Sequence, residues 1–540
     1  MMKMTHYISC PLCQNNDFSI LHLSTLIKSD FDPKIIKNNL KNTLDDFTKH
    51  SQVVKCNHCD LVYSNPQESF STLLSGYKDV VDEEYLKTET FRKVLLTQHL
   101  NMIERYKKSG KLLDIGCFVG YFIQLAKIKK WNAVGIEPSK WARSIAKDRG
   151  LTIIGTNIET TLLKKNTYDV ITLWDVIEHL PNPRNIIKKI HGLLKSDGIV
   201  AIGTPNIESV FAKILKSKNP YLIRMHLLFF SPYTLKKLLQ EEGFEVIFKT
   251  TYGRVFPLYY FFDRLGLKYK IFNSFNNYLA KIPKLKNIPI TLNLRDSFTM
   301  IARKIPNNES GKKPFITIII TAYNEEETIK KIIKDTQKYT SQYTKEIIVI
   351  DDASEDNTKL IAEKSGADKV ISHKKNIGKG GAFKTGIIHS KGDYIIQIDA
   401  DYQFLPKEIP KLVRYLQIGY DVVLGTRYEN ESNIEDESVN HIRLYGSYFL
   451  SFATSFFADI HVTDVMAGFK GFKKNVFTNI DIQTNHFGYE AEVVIKAAKK
   501  KYKIINVPIS YRRRMSGKSS LIPFKHGFLV LGTIIKTAFD

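Results

Sequence analysis

The sequence lacks any apolar run long enough to cross a membrane. A membrane helix needs roughly 18 uninterrupted apolar residues, whereas the nearest stretch, FLVLGTIIKTAF at 528–539, is shorter and is broken by Lys536. The N-terminus, MMKMTHYISCPLC, also lacks the apolar core of a signal peptide. Both absences argue against an integral or secreted protein. We expect a cytoplasmic protein whose contact with the cytoplasmic membrane face, if it has one, is peripheral.

Acidic residues are scarce relative to basic ones. The chain has 55 Asp and Glu against 79 Lys and Arg, a formal net charge of +24. This balance favours a polyanionic partner such as nucleic acid, an anionic membrane or a phosphorylated small molecule, although a solvated lysine-rich surface accounts for roughly half of the excess. No recognition helix or base-stacking aromatic motif is visible, so we expect no nucleic-acid partner. A zinc-containing nucleic-acid-binding protein is a remote alternative.

Cysteine is also rare, with five residues in the chain, but four of them form two C-x-x-C pairs. Cys10 and Cys13 lie in CPLC, and Cys56 and Cys59 lie in CNHC. This spacing lets each pair turn two thiolates toward one tetrahedral Zn²⁺, whereas disulfides are disfavoured in a reducing cytoplasm. Four thiolates fill the coordination shell, so the sequence predicts a structural zinc and not a catalytic one.

A glycine-containing turn follows an apolar strand in KLLDIGCFVGYF, 111–122. Gly116 and Gly120 let such a turn pass close to a ligand. The next strand, WNAVGIE, ends in Glu137, where a carboxylate can accept hydrogen bonds from ribose hydroxyls. The strict G-x-G-x-x-G pattern of dinucleotide sites is absent, because position 118 is Phe and position 121 is Tyr. The pattern therefore favours an adenosyl ligand over NAD.

Residues 109 to about 304 resemble a class I S-adenosylmethionine-dependent methyltransferase. The likeness rests on DIGCFVG, IEPS, YDVITLWDVIEHLPNP, GIVAIGTPN and FFSPYTLKKLLQEEGFEV. The C-x-x-C pairs, with VYSNP at 62–66, are similar to the zinc-binding head of methyltransferases from sugar and polysaccharide pathways. The resemblance implies a Rossmann-like α/β fold. It also implies an S-adenosylmethionine site made of Asp114, Gly116 and Gly120 around the methionine part, Glu137 at the ribose, Asn157 near the adenine and Asp175 beside the transferring methyl.

Two histidines are candidate bases for the methyl acceptor. His179 lies in IEHLP, where Glu178 could orient it, but a capping or packing role before Pro181 is an equal alternative. His226, in RMHLLFFSP, is the second candidate. Cys117, inside the glycine turn, is expected to be a small filler and not a nucleophile.

A polar stretch, IPNNESGKKP at 305–314, predicts a linker, and a second α/β domain starts after it with PFITIIITAYNEEETIKKII. Ligand-type side chains follow at its strand ends, which in an open parallel sheet meet at one edge. They are Asp351 and Asp352 in EIIVIDD, Lys379 in NIGKGGAFKTG, Asp399 and Asp401 in DYIIQIDAD, and Arg427 in GTRY. The two carboxylates of D-A-D can share one face toward a hard cation.

The second half, from 315 to about 522, resembles the family 2 glycosyltransferases of the GT-A fold, and most closely the dolichyl- and polyprenyl-phosphate sugar synthases. The ordered motifs are T-A-Y-N-E, D-D-x-S-x-D, N-x-G-K-G-x-A, D-A-D, G-T-R-Y, G-F-K-G-F, F-G-Y-E-A-E and R-x-x-G-K-S. The resemblance implies that Asp399 and Asp401 hold Mg²⁺ or Mn²⁺ on a diphosphate. It implies a nucleotide-sugar site made of Tyr323, Asn324, Glu325, Asp351, Asp352 and Lys379.

The acceptor stays open between a polyprenyl phosphate and a saccharide hydroxyl. A phosphate is already anionic and needs no base, but it needs cations to hold it, for which the candidates are Arg427, Arg443 and Arg514. A hydroxyl needs a base, which Glu490 or Glu492 in FGYEAEVV would supply. We favour an inverting, metal-dependent transfer to a polyprenyl phosphate, joined to a methyltransferase, in surface-glycan or glycolipid biosynthesis.

Two features depart from the glycosyltransferase pattern. Ser520 stands where the familiar ending has a Lys, and the chain stops at Asp540 without the pair of membrane helices that many relatives carry. A lipid acceptor would then meet an interfacial surface, for which 521–540 offers an apolar helix, with core packing as the alternative. The predicted organisation is a zinc-binding head at 1–65, a helical connector at 66–108, a methyltransferase at 109–304, a linker at 305–314 and a glycosyltransferase at 315–540.

Overall fold

The chain divides into two compact units, Met1–Ile305 and Pro306–Asp540. The division falls at the start of the predicted linker. The computed structural model describes residues 5–26, 49–68, 77–79, 81–257, 289–306, 314–429, 432–435, 438, 441–515 and 523–540.

The first unit is an α/β structure. Its strands are β1 (Thr5–His6), β2 (Phe18–His22), β3 (Val53–Cys56), β4 (Val62–Ser64), β5 (Gln67–Glu68), β6 (Lys111–Ile115), β7 (Asn132–Ile136), β8 (Ile153–Gly155), β9 (Tyr168–Trp174), β10 (Leu194–Pro205), β11 (Leu228–Phe229), β12 (Phe244–Thr251), β13 (Arg254–Pro257), β14 (Pro289–Leu292) and β15 (Ser297–Lys304). Its helices are α1 (Glu83–Lys87), α2 (Glu89–Glu104), α3 (Tyr121–Ile128), α4 (Lys140–Asp148), α5 (Pro183–Leu193), α6 (Val210–Leu215) and α7 (Pro232–Glu241), with short 3₁₀ turns at Ile177–His179 and Lys216–Lys218.

Seven strands form the main sheet of this unit, in the order β12-β15-β10-β9-β6-β7-β8. All run parallel except β15, which is antiparallel to both of its neighbours. Strands β6 and β9 are almost wholly buried, as expected for parallel strands covered on both faces. The chain proceeds from β6 outward through β7 to β8 and then returns to place β9 on the other side of β6. The reversal of strand order between β6 and β9 opens a crevice at their carboxyl ends.

The predicted zinc-binding head is joined to this sheet through a shared core. A second sheet has the order β11-β4-β3-β2, so a strand from far along the chain completes the sheet of the head. Leu228 of β11 pairs with Tyr63 of β4, and both are buried. Cys10, Tyr63 and Phe230 belong to one apolar cluster with residues of β9 and β10. The head and the main sheet therefore pack as one body.

The second unit is also α/β. Its strands are β16 (Phe315–Ala322), β17 (Thr344–Asp351), β18 (Lys369–Ser372), β19 (Tyr394–Asp399), β20 (Val422–Thr426), β21 (Asn433–Ile434), β22 (Lys470–Lys473), β23 (Ile504–Pro508) and β24 (Ser510–Tyr511). Its helices are α8 (Ile329–Tyr339), α9 (Thr358–Lys364), α10 (Lys379–His389), α11 (Ile409–Gln417), α12 (His441–Ala458), α13 (Val476–Asn479), α14 (Tyr489–Lys499) and α15 (Pro523–Phe539), with a 3₁₀ turn at Pro406–Glu408.

The main sheet of the second unit is mixed, in the order β18-β17-β16-β19-β22-β20-β23. Only β22 runs antiparallel to its neighbours. Strand order reverses between β16 and β19, so the carboxyl ends of these two strands flank the crevice where ligands of open α/β sheets bind.

No helix among the described residues is both long enough and apolar enough to span a membrane. Helix α15 covers most of the apolar segment predicted at 521–540.

Candidate active sites

The four paired cysteines meet at one point. Cys10 Sγ lies 3.4 Å from Cys59 Sγ, and Cys13 Sγ lies 3.5 Å from Cys56 Sγ. All four sulfur atoms lie within 4.8 Å of one another. A disulfide needs a separation of about 2.0 Å, whereas sulfurs bound at about 2.3 Å to one tetrahedral Zn²⁺ lie about 3.8 Å apart. The arrangement therefore fits a shared metal ion and not two disulfides.

Asp114 and Glu137 lie at the carboxyl ends of the neighbouring strands β6 and β7, and both are buried. Asp114 Oδ1 accepts a hydrogen bond from the Thr172 hydroxyl at 2.7 Å. Glu137 accepts from the backbone N–H groups of Phe118 and Ser139, each at 2.8 Å. Burial raises the pKa of each carboxyl group to about 7. Buried carboxyl groups with raised pKa values at a crevice are typical of a ligand site.

The turn between β6 and α3 is shaped by its two glycines. Gly116 and Gly120 have φ angles of +71° and +83°, which other residues rarely adopt. A Cβ atom would meet a neighbouring side chain at 2.5 Å on Gly116 and at 2.3 Å on Gly120. The glycines and the two buried carboxylates therefore fit the predicted adenosyl site.

Asp175 and Asn157 lie where the chain turns after strands. Asp175 follows β9 with a φ of +52°, a strained conformation of the kind found at functional sites. Its Oδ1 accepts a hydrogen bond from the Tyr252 hydroxyl at 3.2 Å. The Asn157 side chain accepts from the backbone N–H of Glu159 at 2.7 Å, so it shapes its own turn.

Both candidate bases of the first unit join Glu178 in one buried cluster. A ring nitrogen of His179, a ring nitrogen of His226 and a carboxylate oxygen of Glu178 lie within 4.8 Å of one another. The Nδ1 atoms of the two histidines lie 2.9 Å from the Met225 carbonyl and 2.8 Å from the Tyr221 carbonyl, respectively. Burial lowers the pKa of both histidines and raises that of Glu178 to about 8. The two imidazoles are therefore neutral near pH 7.

In the second unit, Lys379 lies between two carboxylates. Its Nζ is 2.9 Å from Asp399 Oδ2 and 2.9 Å from Glu490 Oε1. The other oxygen of Glu490 pairs with Lys470 at 2.8 Å, and both partners are buried. Burial opposes the charged forms, but Asp399 and Glu490 raise the pKa of Lys379, and the two lysines lower that of Glu490. Glu490 is therefore ionised, with both oxygens bound to cations.

Asp399 and Asp401 present oxygen atoms at the end of β19. Asp399 Oδ1 is buried without a hydrogen-bond partner in the described part of the chain, and burial raises the Asp399 pKa to about 6. Asp401 Oδ2 lies 3.7 Å from Arg514 Nη1. Arg514 also pairs with Glu325, whose pKa burial raises to about 7. An unsatisfied buried carboxylate oxygen next to a second carboxylate fits a hard divalent cation.

Asp352 organises the glycine turn that precedes α10. Its carboxylate accepts from the backbone N–H groups of Ile377 at 3.0 Å and Gly378 at 2.8 Å. His373 Nδ1 lies 2.7 Å from Asp352 Oδ1. These bonds fix the start of α10, where Lys379 is the first residue.

The other predicted donor-site residues lie at the ends of β16 and β17. Asn324 accepts from the backbone N–H of Glu355 at 2.8 Å, which ties the end of β16 to the turn after β17. Asp351 accepts from the backbone N–H of Ser354 at 3.2 Å within that turn. Tyr323 is 39% exposed, so its ring is available to a ligand.

The structure also shows the surroundings of Arg427, Arg443 and Glu492. Arg427 donates from Nε and Nη2 to the carboxylate of Asp464 at 2.7 and 2.9 Å, so its guanidinium is already held. Arg443 is exposed on α12. Glu492 accepts from two backbone N–H groups of the loop before α14 and from Lys496, and these bonds outweigh burial and lower its pKa.

Sequence reasoning missed several residues that support these sites. Lys470 and Gly468 lie in GFKGF, and a lysine between apolar residues of a short strand was a usable signal for a buried ion pair. Tyr77 and Asp464 gave no local signal. The Tyr77 hydroxyl lies 2.6 Å from His179 Nδ1 across 102 positions of sequence. The binding and catalytic roles of the residues in both units stay predictions.

Comparison with known proteins finds two families in the chain. Residues 88–248 match the family described as a methyltransferase domain, and residues 317–481 match glycosyl transferase family 2. A dolichyl-phosphate hexose transferase of Haloferax volcanii is 28% identical over 42% of this chain and 94% of its own length. The glycosyltransferase AglJ of the same organism is 27% identical over 41% of this chain and 72% of its own length. An uncharacterized protein of Methanocaldococcus jannaschii is 33% identical over 37% of this chain and 83% of its own length.

The chain belongs to the family 2 glycosyltransferases, and it carries a methyltransferase domain ahead of the glycosyltransferase domain. The predicted fusion, its α/β fold class and its bifunctional enzymatic character are confirmed.

Gly468 provides a test of the Lys379–Asp399 geometry. A Cβ atom at this position would lie 1.9 Å from Asp399 Oδ2 and 2.5 Å from Lys379 Nζ. We expect Gly468→Ala to displace the Asp399 carboxylate and to lower sugar transfer by about 100-fold, because misplacement near 1 Å has effects of that size. Release of nucleoside diphosphate from a panel of nucleotide-sugars measures the change.

Gly446→Ala is the matched control, because a Cβ atom there meets nothing within 4 Å. Wild-type turnover in Gly468→Ala, with an unchanged melting temperature, would show that the position of the Asp399 carboxylate beside Lys379 does not matter for sugar transfer.

Proposed function

We propose that the second unit transfers a sugar from a nucleotide-sugar to a polyprenyl- or dolichyl-phosphate acceptor with the help of a divalent cation. The first unit then acts as an S-adenosylmethionine-dependent methyltransferase in the same surface-glycan or glycolipid pathway. The similarity to a dolichyl-phosphate hexose transferase supports this choice of acceptor.

The contacts of the two candidate bases, Glu490 and Glu492, are the main support for a phosphate acceptor. Transfer to a hydroxyl needs a carboxylate that can take up a proton. Glu490 is bound by Lys379 and Lys470, and Glu492 is bound by Lys496 and backbone N–H groups. Each set of contacts lowers the pKa of its glutamate, which makes it a weaker base. A phosphate acceptor is already ionised and needs neither glutamate as a base. A saccharide hydroxyl is therefore the less favoured acceptor.

The charges around the D-A-D motif suit two phosphorylated substrates. Asp399 and Asp401 would hold Mg²⁺ or Mn²⁺, which supplies positive charge to a departing nucleoside diphosphate. Arg514 lies beside Asp401, and a guanidinium can bind a phosphate through two parallel hydrogen bonds. Lys379 and Lys470 together balance the charges of Asp399 and Glu490, which limits repulsion of incoming anions. Arg514 is therefore our choice for the cation that holds the acceptor phosphate.

Two aromatic stripes would bring the second unit to a lipid acceptor. On α12 the exposed side chains are Tyr445, Phe449, Phe452 and Phe456, and on α15 they are Phe524, Phe528, Ile535 and Phe539. Each set follows helical spacing along one face, and the helices touch through Phe457 and Phe539, with ring centroids 6.1 Å apart. Exposed Lys525 and Lys536 on α15 add charge that suits an anionic surface. We propose peripheral binding to the cytoplasmic membrane face.

The first unit offers sites for a methyl donor and a methyl acceptor. S-adenosylmethionine supplies an activated methyl group when it is bound. Asp114 and Glu137 would hold it at the glycine turn, and Asp175 would lie beside the acceptor. His179 has its Nδ1 next to the Met225 carbonyl, so its Nε2 lone pair is available to accept a proton from the acceptor. The cysteine cluster would hold a structural Zn²⁺.

Removal of the Asp401 carboxylate tests the cation site. We expect Asp401→Ala to lower sugar transfer by about 100-fold or more, because the charge that builds on the leaving group loses its cation. The assay follows transfer from nucleotide-sugars to polyprenyl phosphate by mass spectrometry, with and without Mg²⁺ or Mn²⁺. Asp481→Ala, at an exposed position, is the control. Unimpaired transfer in Asp401→Ala would refute the mechanism.

Arg514→Ala tests the acceptor phosphate. We expect the KM for polyprenyl phosphate to rise by about 10- to 100-fold, the range set by loss of one hydrogen bond to a charged group, with partial recovery in Arg514→Lys. Arg512→Ala, at an exposed neighbouring position, is the control. Because Arg514 also lies near Asp401, the metal requirement is measured in parallel. An equal or larger rise in the KM for the nucleotide-sugar would assign Arg514 to the donor.

Substitution on the aromatic stripes tests the membrane surface. Phe452 and Phe528 are 68% and 74% exposed, so Phe452→Ser with Phe528→Ser should leave folding unchanged. Sedimentation with vesicles that contain phosphatidylglycerol should show binding weaker by about tenfold or more, since each ring loses its burial in lipid. Transfer to a short, water-soluble prenyl phosphate should stay constant. Ile388→Ser is the control, because Ile388 is 78% exposed on α10. Vesicle binding equal to that of wild type would exclude this surface.

A further inference from the structure

The first unit holds a second set of metal-type ligands besides its four cysteines. Glu178 and His179 lie on the 3₁₀ turn after β9, and His226 lies two residues before β11. One donor atom of each lies within 4.8 Å of the others. Three donors bound to one ion at about 2.1 Å are at most about 4.2 Å apart. Side-chain shifts of less than about 1 Å would therefore close the set around an ion.

Both imidazoles are held in the manner of metal ligands. A carbonyl oxygen can only accept, so Nδ1 of His226 donates its proton to the Tyr221 carbonyl at 2.8 Å. The N–H at Nδ1 of His179 faces two oxygen acceptors, the Met225 carbonyl at 2.9 Å and the Tyr77 hydroxyl at 2.6 Å. The remaining nitrogen, Nε2, then carries a lone pair in both rings. Metal-bound histidines are usually oriented by a hydrogen bond of this kind from the other nitrogen.

The two carboxylate oxygens of Glu178 differ in their hydrogen bonding. Its Oε2 accepts from the Thr204 hydroxyl at 3.0 Å. Its Oε1 is buried and has no hydrogen-bond partner among residues that the structure describes, while the whole residue is only 1% exposed. A buried carboxylate oxygen without a partner is unfavourable, and a cation at this point would satisfy it.

The backbone keeps the two ligand segments together. Leu227 donates its N–H to the carbonyl of Glu178 at 2.9 Å, which ties the segment of His226 to the 3₁₀ turn. The His226 carbonyl accepts from the Ser64 hydroxyl at 3.2 Å. Ligands on segments fixed by such bonds bind a metal with little loss of conformational entropy.

We propose that Glu178, His179 and His226 bind a divalent first-row metal ion. Two imidazoles and one carboxylate are a ligand set that Zn²⁺ and Fe²⁺ favour, and three protein ligands leave at least one coordination position open. Glu178 and His226 border a small pocket that Thr204, Asn206 and Tyr221 also line. An oxygen of the methyl acceptor would take the open position, where the ion would replace His179 as the group that activates the acceptor. This part of the inference rests on the proposed methyl transfer.

Metal content distinguishes this site from the cysteine cluster. Full-length protein is stripped with a chelator, reconstituted with Co²⁺, desalted and analysed for cobalt per chain. We expect Glu178→Gln and His226→Gln each to retain one equivalent less than wild type. His191→Gln is the matched control, since His191 and His226 are each 7% exposed, and it should retain the wild-type amount. Equal cobalt in wild type and both cluster variants overturns the proposal.

The absorption spectrum of the wild-type protein gives a second readout that does not depend on variants. Thiolate-to-cobalt charge-transfer bands report the cysteine cluster, whereas a site of nitrogen and oxygen ligands adds only weaker visible bands. During titration we expect the weak bands to keep growing for one equivalent after the thiolate bands saturate. Saturation of all bands together overturns the proposal.

Binding of S-adenosylmethionine, measured by calorimetry, separates this inference from the proposed methyl transfer. If the protein binds the extra cobalt but does not bind S-adenosylmethionine, the metal site is supported and the methyl-transfer function is refuted. A chain that binds S-adenosylmethionine without the extra cobalt refutes only the metal site.

Discussion

The second unit depends on one buried carboxylate, Glu490, which is shared by two lysines. Glu490 lies in the first turn of α14, Lys470 begins β22 and Lys379 begins α10. Through Lys379 the same network reaches Asp399 at the end of β19. Removal of one member of such a network leaves an uncompensated buried charge, so the partners stabilise one another's positions. The network thus fixes the crevice from four elements at once and leaves Glu490 unsuited to proton uptake.

Both units use the same physical arrangement to build a site. In the main sheet of each unit, strand order reverses beside the strand that comes first along the chain, β6 or β16. Carboxylates at neighbouring strand ends lie at the resulting crevice. Residues with positive φ angles cluster at these ends, including Phe118 and Asp175 in the first unit and Asn324 and Tyr402 in the second. Such conformations persist where the surrounding contacts hold them. Rigid strands therefore position the acids, and the turns with positive φ angles set the path of the chain at the crevice.

The sequence predicted whatever depends on local spacing, and it failed where distant residues meet. The local patterns are two C-x-x-C pairs, a glycine turn after an apolar strand, and D-A-D after another apolar strand. They made it possible to predict the fold class and the crevice residues. Arg427 was predicted to hold the acceptor phosphate, and the local sequence did not indicate that Asp464 binds its guanidinium. The Arg427 contact joins residues 37 positions apart, and the Lys379–Glu490 contact joins residues 111 positions apart. Periodicity carries no information about such pairs.

The pairing of β11 with β4 connects the cysteine cluster of the zinc-binding head to the methyltransferase domain. Strand β4 leaves the turn that carries Cys56 and Cys59, and β11 follows directly after the segment of His226. Oxidation of the cysteines would disturb that hairpin and, through the paired strand, the pocket that Glu178 and His226 border. The glycosyltransferase unit has its own core and does not share this sheet. The structural consequence of thiol oxidation would therefore fall on the first unit, whose core contains the cysteines.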